Sequence, residues 1–339
     1  MKRTQPLIGG NQSHSMYTSF FKLTREPFDM APNAAFVYMT STHREALAGL
    51  RYAILARKSF TLLTGDAGTG KTTLIAMLLA SLPPHVKVFS ILHPVLQPDE
   101  FLEYLMLQMH IKNIPASKAQ RLMVLQDWLQ EADRKGEIPV LIIDEAQRLR
   151  MDVLEEIRLL GNFGAANKKG IHMIMAGQSE LCGLLNMMDL RQLKQRIAVR
   201  LSIQPLSPSQ VSEYIAYRWQ MSGACNEPPF SPEALAVIAR YAKGIPRIVN
   251  AICDNALVLM MADGKPIIDE AMIVAVCTDL DLVHAAAVQL VSDSPVPVVL
   301  PAEAHNPVSD TPFQTLQRHE PSTKPSLLMR CASKFGFVH

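Results

Sequence analysis

The chain has 339 residues, 48% of them apolar, with 33 basic and 31 acidic side chains and a net charge of +2. That length supports one large or two modest domains around a sizeable core, and the near-neutral balance supplies no global pull toward nucleic acid. Five scattered cysteines without a C-x-x-C pair argue against a disulfide framework or a zinc knot, and no run reaches the roughly 18 apolar residues a membrane span needs.

In chain order, residues 1–15 are polar and are expected to form a flexible extension, with Met16 an alternative start of translation. No apolar signal core precedes Met16, so the expected location is cytoplasmic, peripheral to a membrane only through a partner. Between His43 and Arg57, Ala46, Leu47, Leu50, Ile54 and Leu55 recur at helical spacing. The run 59–64 reads as a strand and passes directly into Gly65-Asp66-Ala67-Gly68-Thr69-Gly70-Lys71-Thr72. That octet matches the phosphate loop G-x-x-x-x-G-K-[ST] in its required context of strand, loop and helix. Its glycines let successive backbone N–H groups converge on phosphates, and the helix that follows aims its positive dipole end at the same place. Lys71 is expected on the β- and γ-phosphates, and Thr72 on Mg²⁺. A helix over 74–82 stops before Pro83-Pro84, a strand follows over 86–91, and helices over 98–109 and 118–135 lead to the next strand.

That strand, Val140-Leu141-Ile142-Ile143, has four apolar residues in a row, as suits a central parallel strand covered on both faces. It delivers Asp144 and Glu145 to its carboxyl end, where open α/β sheets bind ligands. Asp144 is expected to hold the metal directly or through water, and Glu145 to orient and activate an attacking water. The two motifs together predict an ATPase that uses ATP and Mg²⁺. A helix over 152–162 and strands over 171–178 and 198–204 complete an alternating pattern that predicts a parallel sheet with helices on both faces. Beyond Pro205 only helical periodicity remains, at 209–221, 232–243, 246–262 and 269–279. Residues 292–339 then hold seven prolines and read as disordered. The expected organisation is an extension (1–15), an α/β nucleotide-binding domain (16–207), an all-helical lid (208–282) and a proline-rich tail (283–339).

A P-loop α/β domain followed by a small helical lid resembles the AAA+ ATPases, and the resemblance implies further roles. Gln178, at the end of the strand after the acidic one, resembles the sensor-1 residue that reads the γ-phosphate and the water. Of Arg191, Arg196 and Arg200, Arg196 is the best match to the finger that reaches into a neighbouring subunit's site. Arg247, in Gly244-Ile245-Pro246-Arg247, matches sensor 2. More narrowly, Phe21-Lys22-Leu23, Pro27-Phe28, His43-Arg44-Glu45-Ala46-Leu47, the phosphate loop, Asp144-Glu145-Ala146-Gln147, Ala176-Gly177-Gln178-Ser179-Glu180-Leu181, Leu193-Lys194-Gln195-Arg196-Ile197 and Gly244-Ile245-Pro246-Arg247 are similar to the ExeA, or general secretion pathway A, ATPases over about 17–282. The resemblance implies an ATP-promoted homo-oligomer whose partner is a secretion or membrane-associated protein. It covers the ATPase part alone. The alternative is an ATP-dependent DNA-binding regulator of the transposition type, for which the basic groups are Lys168, Lys169, Arg148 and Arg150.

Overall fold

The structure is a computed structural model and describes residues 16–31, 36–91, 95–164 and 170–282. The expectations for 1–15 and 283–339, and for Lys168 and Lys169, lie outside the described residues.

The elements follow the sequence pattern closely. After a short helix α1 (Met16–Phe20) come α2 (Ser41–Leu55), β1 (Phe60–Thr64), α3 (Lys71–Ser81), β2 (Val86–Ile91), α4 (Pro98–Gln108), α5 (Lys118–Arg134) and β3 (Ile138–Ile143). Next are α6 (Met151–Leu160), β4 (His172–Gly177), α7 (Ser179–Leu185), α8 (Arg191–Arg196) and β5 (Ile197–Ser202). Four helices close the described chain: α9 (Pro208–Met221), α10 (Pro232–Ala242), α11 (Pro246–Asp263) and α12 (Glu270–Asp279).

All strand pairings are parallel, in the order β2-β3-β4-β1-β5. Strand alternation sends neighbouring residues to opposite faces. One face carries Phe60, Leu62, Leu141, Ile143, Met173 and Met175 into a core closed by α4, α5 and α6 through Phe101, Leu105, Leu129, Leu154 and Ile157. The other carries Leu63, Val140, Ile142, Ile174 and Ala176 against Leu50 and Ile54 of α2 and Leu74 and Leu78 of α3. β3 and β4 are buried at every position, whereas β5 alternates because it is an edge strand with one covered face. The sheet class read from the sequence is therefore the observed one.

A third core lies among α9 to α12, built on Trp219, Ile238, Ile252, Leu257, Ile273 and Cys277. Three of these helices begin with proline just inside the start, where the missing N–H costs nothing. Ser207, Ser231 and Asp269 cap α9, α10 and α12 with side-chain oxygens. Tyr17, Leu23 and Phe28 from the beginning of the described chain are buried in this same helical core. Cys253 and Cys277 are buried core residues, as their apolar surroundings suggest, while Cys182 and Cys225 are exposed.

Candidate nucleotide site

The phosphate loop bridges β1 and α3, and two of its glycines have no substitute. Gly68 (φ +80°) and Gly70 (φ +98°) are in the left-handed region, where a side chain is strained. A Cβ on Gly68 would also come within 2.7 Å of Arg247 Cβ on α11. The loop and α11 touch backbone to backbone, since Arg247 N–H donates to Gly68 O at 3.3 Å. Arg247 thus lies beside the loop.

Lys71 is buried, and its ammonium donates to Gly65 O (2.8 Å) and Asp66 O (2.9 Å), folding the side chain back over the loop. Burial lowers its pKa, while the carboxylates of Glu145, Asp144, Asp66 and Glu180 act in the opposite direction. Thr72 Oγ1 donates to Asp144 Oδ2 at 2.7 Å, which joins the first turn of α3 to the end of β3 across 72 residues of sequence. Asp144 Oδ1 accepts the Glu145 N–H at 2.9 Å. Glu145 itself is left-handed (φ +52°), a conformation uncommon for any residue with a side chain and a common mark of functional positions. Its carboxylate accepts from Gln147 Nε2 (2.6 Å) and from Gln178 Nε2 (3.4 Å), and Gln147 Oε1 accepts the Gln178 N–H at 3.2 Å. The ends of β3 and β4 therefore carry one connected group of Glu145, Gln147 and Gln178. Gln147 stands in the sequence within Asp144-Glu145-Ala146-Gln147 but carries no role there, because a glutamine two residues past an acidic residue has no spacing signature of its own.

Lys71, Thr72, Glu145, Gln178 and Arg247 border a cavity of about 540 Å³. One part is lined by Ala67, Gly68, Thr69, Gly70, Lys71, Thr72, Glu145, Gln178 and Arg247. Another is lined by Phe36, Tyr38, Tyr214, Arg218 and Asn250, none of which has a motif in the sequence. Tyr214 O–H donates to Asn250 Oδ1 (2.7 Å), and the buried Arg218 guanidinium donates to Tyr214 Oη (3.0 Å), Pro27 O and Asp29 O. Phe36 lies against that guanidinium at 5.1 Å. Arg218 of α9 thus ties Pro27, Asp29 and Phe36 to this side of the cavity, and Asn250 of α11 holds Tyr214 beside them. The volume falls within the range of small-molecule pockets.

Arg196 is not among the cavity residues. Its guanidinium donates to Arg158 O at 3.1 Å and to Asn162 Oδ1, at the end of α6. Arg191 and Arg200 are exposed. Arg150 is paired with Asp152 at 2.9 Å, and Arg148 is exposed. The donor set fits Mg²⁺: a hydroxyl and a carboxylate, both hard oxygen ligands, converge beside a lysine-bearing loop, and Mg²⁺ takes its remaining ligands from phosphate and water. No cluster of three or more His, Cys, Asp or Glu that could hold a metal by itself occurs among the described residues.

Comparison with known proteins agrees with this geometry. Residues 54–185 match the family model described as an AAA domain. The chain is 40% identical over 254 residues to general secretion pathway protein A of Aeromonas hydrophila, an alignment covering 74% of this chain and 46% of that protein. The chain thus spans about half the length of this curated relative. The resemblance drawn from the motifs holds. Among solved structures, Drosophila ORC bound to DNA is similar with a TM-score of 0.60 at 18% identity, over 87% of this chain and 73% of that one. CDC6P of Pyrobaculum aerophilum gives 0.56 at 18% identity over 71% and 67%. The ORC2 protein of Aeropyrum pernix in ADPNP-ADP complexes gives 0.54 at 15% over 75% and 71%. At these identities the likeness is one of fold, an AAA-type sheet with a helical partner.

Proposed function

From a chain that carries an AAA domain and is similar to general secretion pathway protein A, we propose that it is a Mg²⁺-dependent ATPase whose nucleotide state controls assembly with a partner protein. The observation that carries the reading is the Thr72–Asp144 hydrogen bond at 2.7 Å beside Lys71, which puts both halves of a nucleotide site in contact. Loop amides and Lys71 hold the phosphates, and Thr72 and Asp144 hold the metal. Mg²⁺ held by these two residues would neutralise phosphate charge. Glu145 orients the attacking water, and its bonds to Gln147 and Gln178 let γ-phosphate occupancy reach the carboxylate through side chains that move together. Arg247 ties α11 to the loop, so the helical part responds to what the loop holds.

The biological output follows the relative: the partner is a secretion or envelope protein, and the chain reaches a membrane through it. Among the described residues no helix is long and apolar enough to cross a membrane. Lys71→Ala is expected to abolish ATP binding, whereas Glu145→Gln keeps binding and loses turnover, because the lysine contacts ground-state phosphates and the glutamate acts mainly in water attack. Equal ATP affinity in wild type and Lys71→Ala overturns the reading. Capture with the ATP-trapped Glu145→Gln protein identifies the partner class. Recovery of duplex DNA at near-physiological salt, lost in Arg148→Ala/Arg150→Ala, moves the protein to the DNA-regulator alternative.

A further inference from the structure

His43 lies on the first turn of α2, 26 residues before Thr69, and is 6% exposed. Its ring spans a gap between two elements. Nε2 is 3.1 Å from Thr69 O in the phosphate loop, and Nδ1 is 2.6 Å from the hydroxyl of Thr40, the residue that caps α2. A carbonyl oxygen only accepts, so Nε2 carries the hydrogen and donates to Thr69 O. Burial lowers the pKa of the ring, which favours the neutral form. In that form Nδ1 is bare and accepts the Thr40 hydroxyl proton. Thr40 Oγ1 in turn accepts the His43 N–H at 3.2 Å, so the cap and the ring fix one another.

The bond to Thr69 has a consequence for the neighbouring amide. A trans peptide unit is planar, with its C=O and N–H pointing in opposite directions. No cis bond occurs among the described residues. Holding the Thr69 carbonyl on His43 therefore aims the Gly70 N–H directly away from His43. Gly70 is left-handed and has no side chain to fix its peptide planes; the nearest atom a Cβ there would meet is His43 Nε2, at 3.4 Å. Without His43 the 69–70 peptide could turn over, presenting a carbonyl where a phosphate needs a donor.

We propose that His43 is a positioning residue for the phosphate loop, which locks the Thr69–Gly70 peptide with its N–H toward the phosphates and its carbonyl capped from behind. The inference rests on the reading of the cavity as an ATP site and assigns that site a brace outside the phosphate-loop motif. Since the brace acts on a ground-state phosphate contact, its loss raises KM more than it lowers kcat.

The test uses the full chain and Mg²⁺–ATP, measuring Kd by calorimetry and KM and kcat by phosphate release in wild type, His43→Ala, His43→Gln and His43→Asn. Glutamine puts an amide N–H near the position of Nε2 and reaches Thr69; asparagine puts one near Nδ1 and reaches only Thr40. The expected result is about tenfold weaker ATP binding in His43→Ala, the loss of one buried hydrogen bond, with a matching rise in KM and a smaller change in kcat. Gln restores most of the affinity and Asn does not. If His43→Ala fails to fold, as judged by circular dichroism, the Gln–Asn pair decides alone. Wild-type affinity in His43→Ala, or equal rescue by Asn and Gln, overturns the brace while leaving the ATP site intact. No ATP binding by the wild type overturns both.

Discussion

At the scale of single residues, Asp144 and Glu145 show how one backbone torsion separates two carboxylates. β3 ends at Ile143, and Asp144 continues its line far enough to accept from Thr72 at 2.7 Å. Glu145 then turns left-handed (φ +52°) and points its carboxylate to Gln147 and Gln178 instead. Another residue with a definite protonation state is His172 on β4. It is 2% exposed, its Nδ1–H donates to Lys58 O, and its Nε2 has no partner among the described residues. Burial depresses its pKa to about 4. Between that value and 6.5 the unfolded chain binds a proton that the folded chain does not, so stability falls as pH falls through this window. His172→Asn keeps the Nδ1-like donor and does not titrate. It is expected to flatten the pH slope of urea-unfolding free energy between pH 7 and 4, by at most about 3 kcal/mol, and an unchanged slope would refute the assignment. The phosphate loop and the acidic pair were legible in the sequence because each is a contiguous run that carries its own chemistry. His43 and Gln147 stand in the sequence only inside the motifs of the resemblance, with no role of their own, and Tyr214 and Arg218 carry no motif, since folding alone gives these side chains their partners; Arg218 meets Pro27 across 191 residues.

At the scale of elements, most boundaries were legible because they are chemically marked. Proline at the first position and serine or aspartate caps start the closing helices where the pattern put them. α2 begins at Ser41 rather than at His43, because the cap is Thr40, which precedes the first apolar repeat. The short helices α1, α7 and α8 span at most seven residues, two turns or less, too little for periodicity to declare itself. Nor does sequence order reveal that Tyr17 and Phe28 are buried with α9 to α12, a partnership of packing alone. The contact between the phosphate loop and α11 makes a specific prediction. Gly68→Ala combines a strained φ of +80° with a Cβ 2.7 Å from Arg247 Cβ, so either the loop flattens or α11 retreats. ATP affinity is expected to fall by about tenfold or more, since each unit of 1.4 kcal/mol is tenfold and a residue held in a disfavoured backbone region costs about 1–3 kcal/mol. Calorimetry with ATP checks it, and retained affinity would mean that loop and helix separate without consequence for the nucleotide.

At the scale of the whole molecule, the cavity is lined by Lys71, Glu145, Gln178 and Arg247, yet Arg196 sits outside it. Its guanidinium is engaged with Arg158 O and Asn162 at the end of α6, a surface of the chain rather than its own cavity. If Arg196 acts on ATP, it acts on a neighbour's. A finger donated head-to-tail implies a heterologous interface, which closes into a ring or grows into a filament. Each active site then draws its base, Glu145, from one subunit and its finger from the next. Arg196→Ala and Glu145→Gln are each expected to be inactive, since a trans arginine contributes ~10³–10⁵ in rate. Mixed in equal amounts, random co-assembly pairs an intact base with an intact finger at about a quarter of head-to-tail interfaces. Turnover in the mixture is therefore expected to recover to about a quarter of the wild-type rate per subunit under this random-pairing arithmetic. A merely structural Arg196, bracing α6 through Arg158 and Asn162, predicts a lower melting temperature for Arg196→Ala and no recovery. Light scattering of the mixture shows whether the two variants co-assemble. Co-assembly without recovered turnover would sink the trans role and leave Arg196 as a brace between α6 and α8.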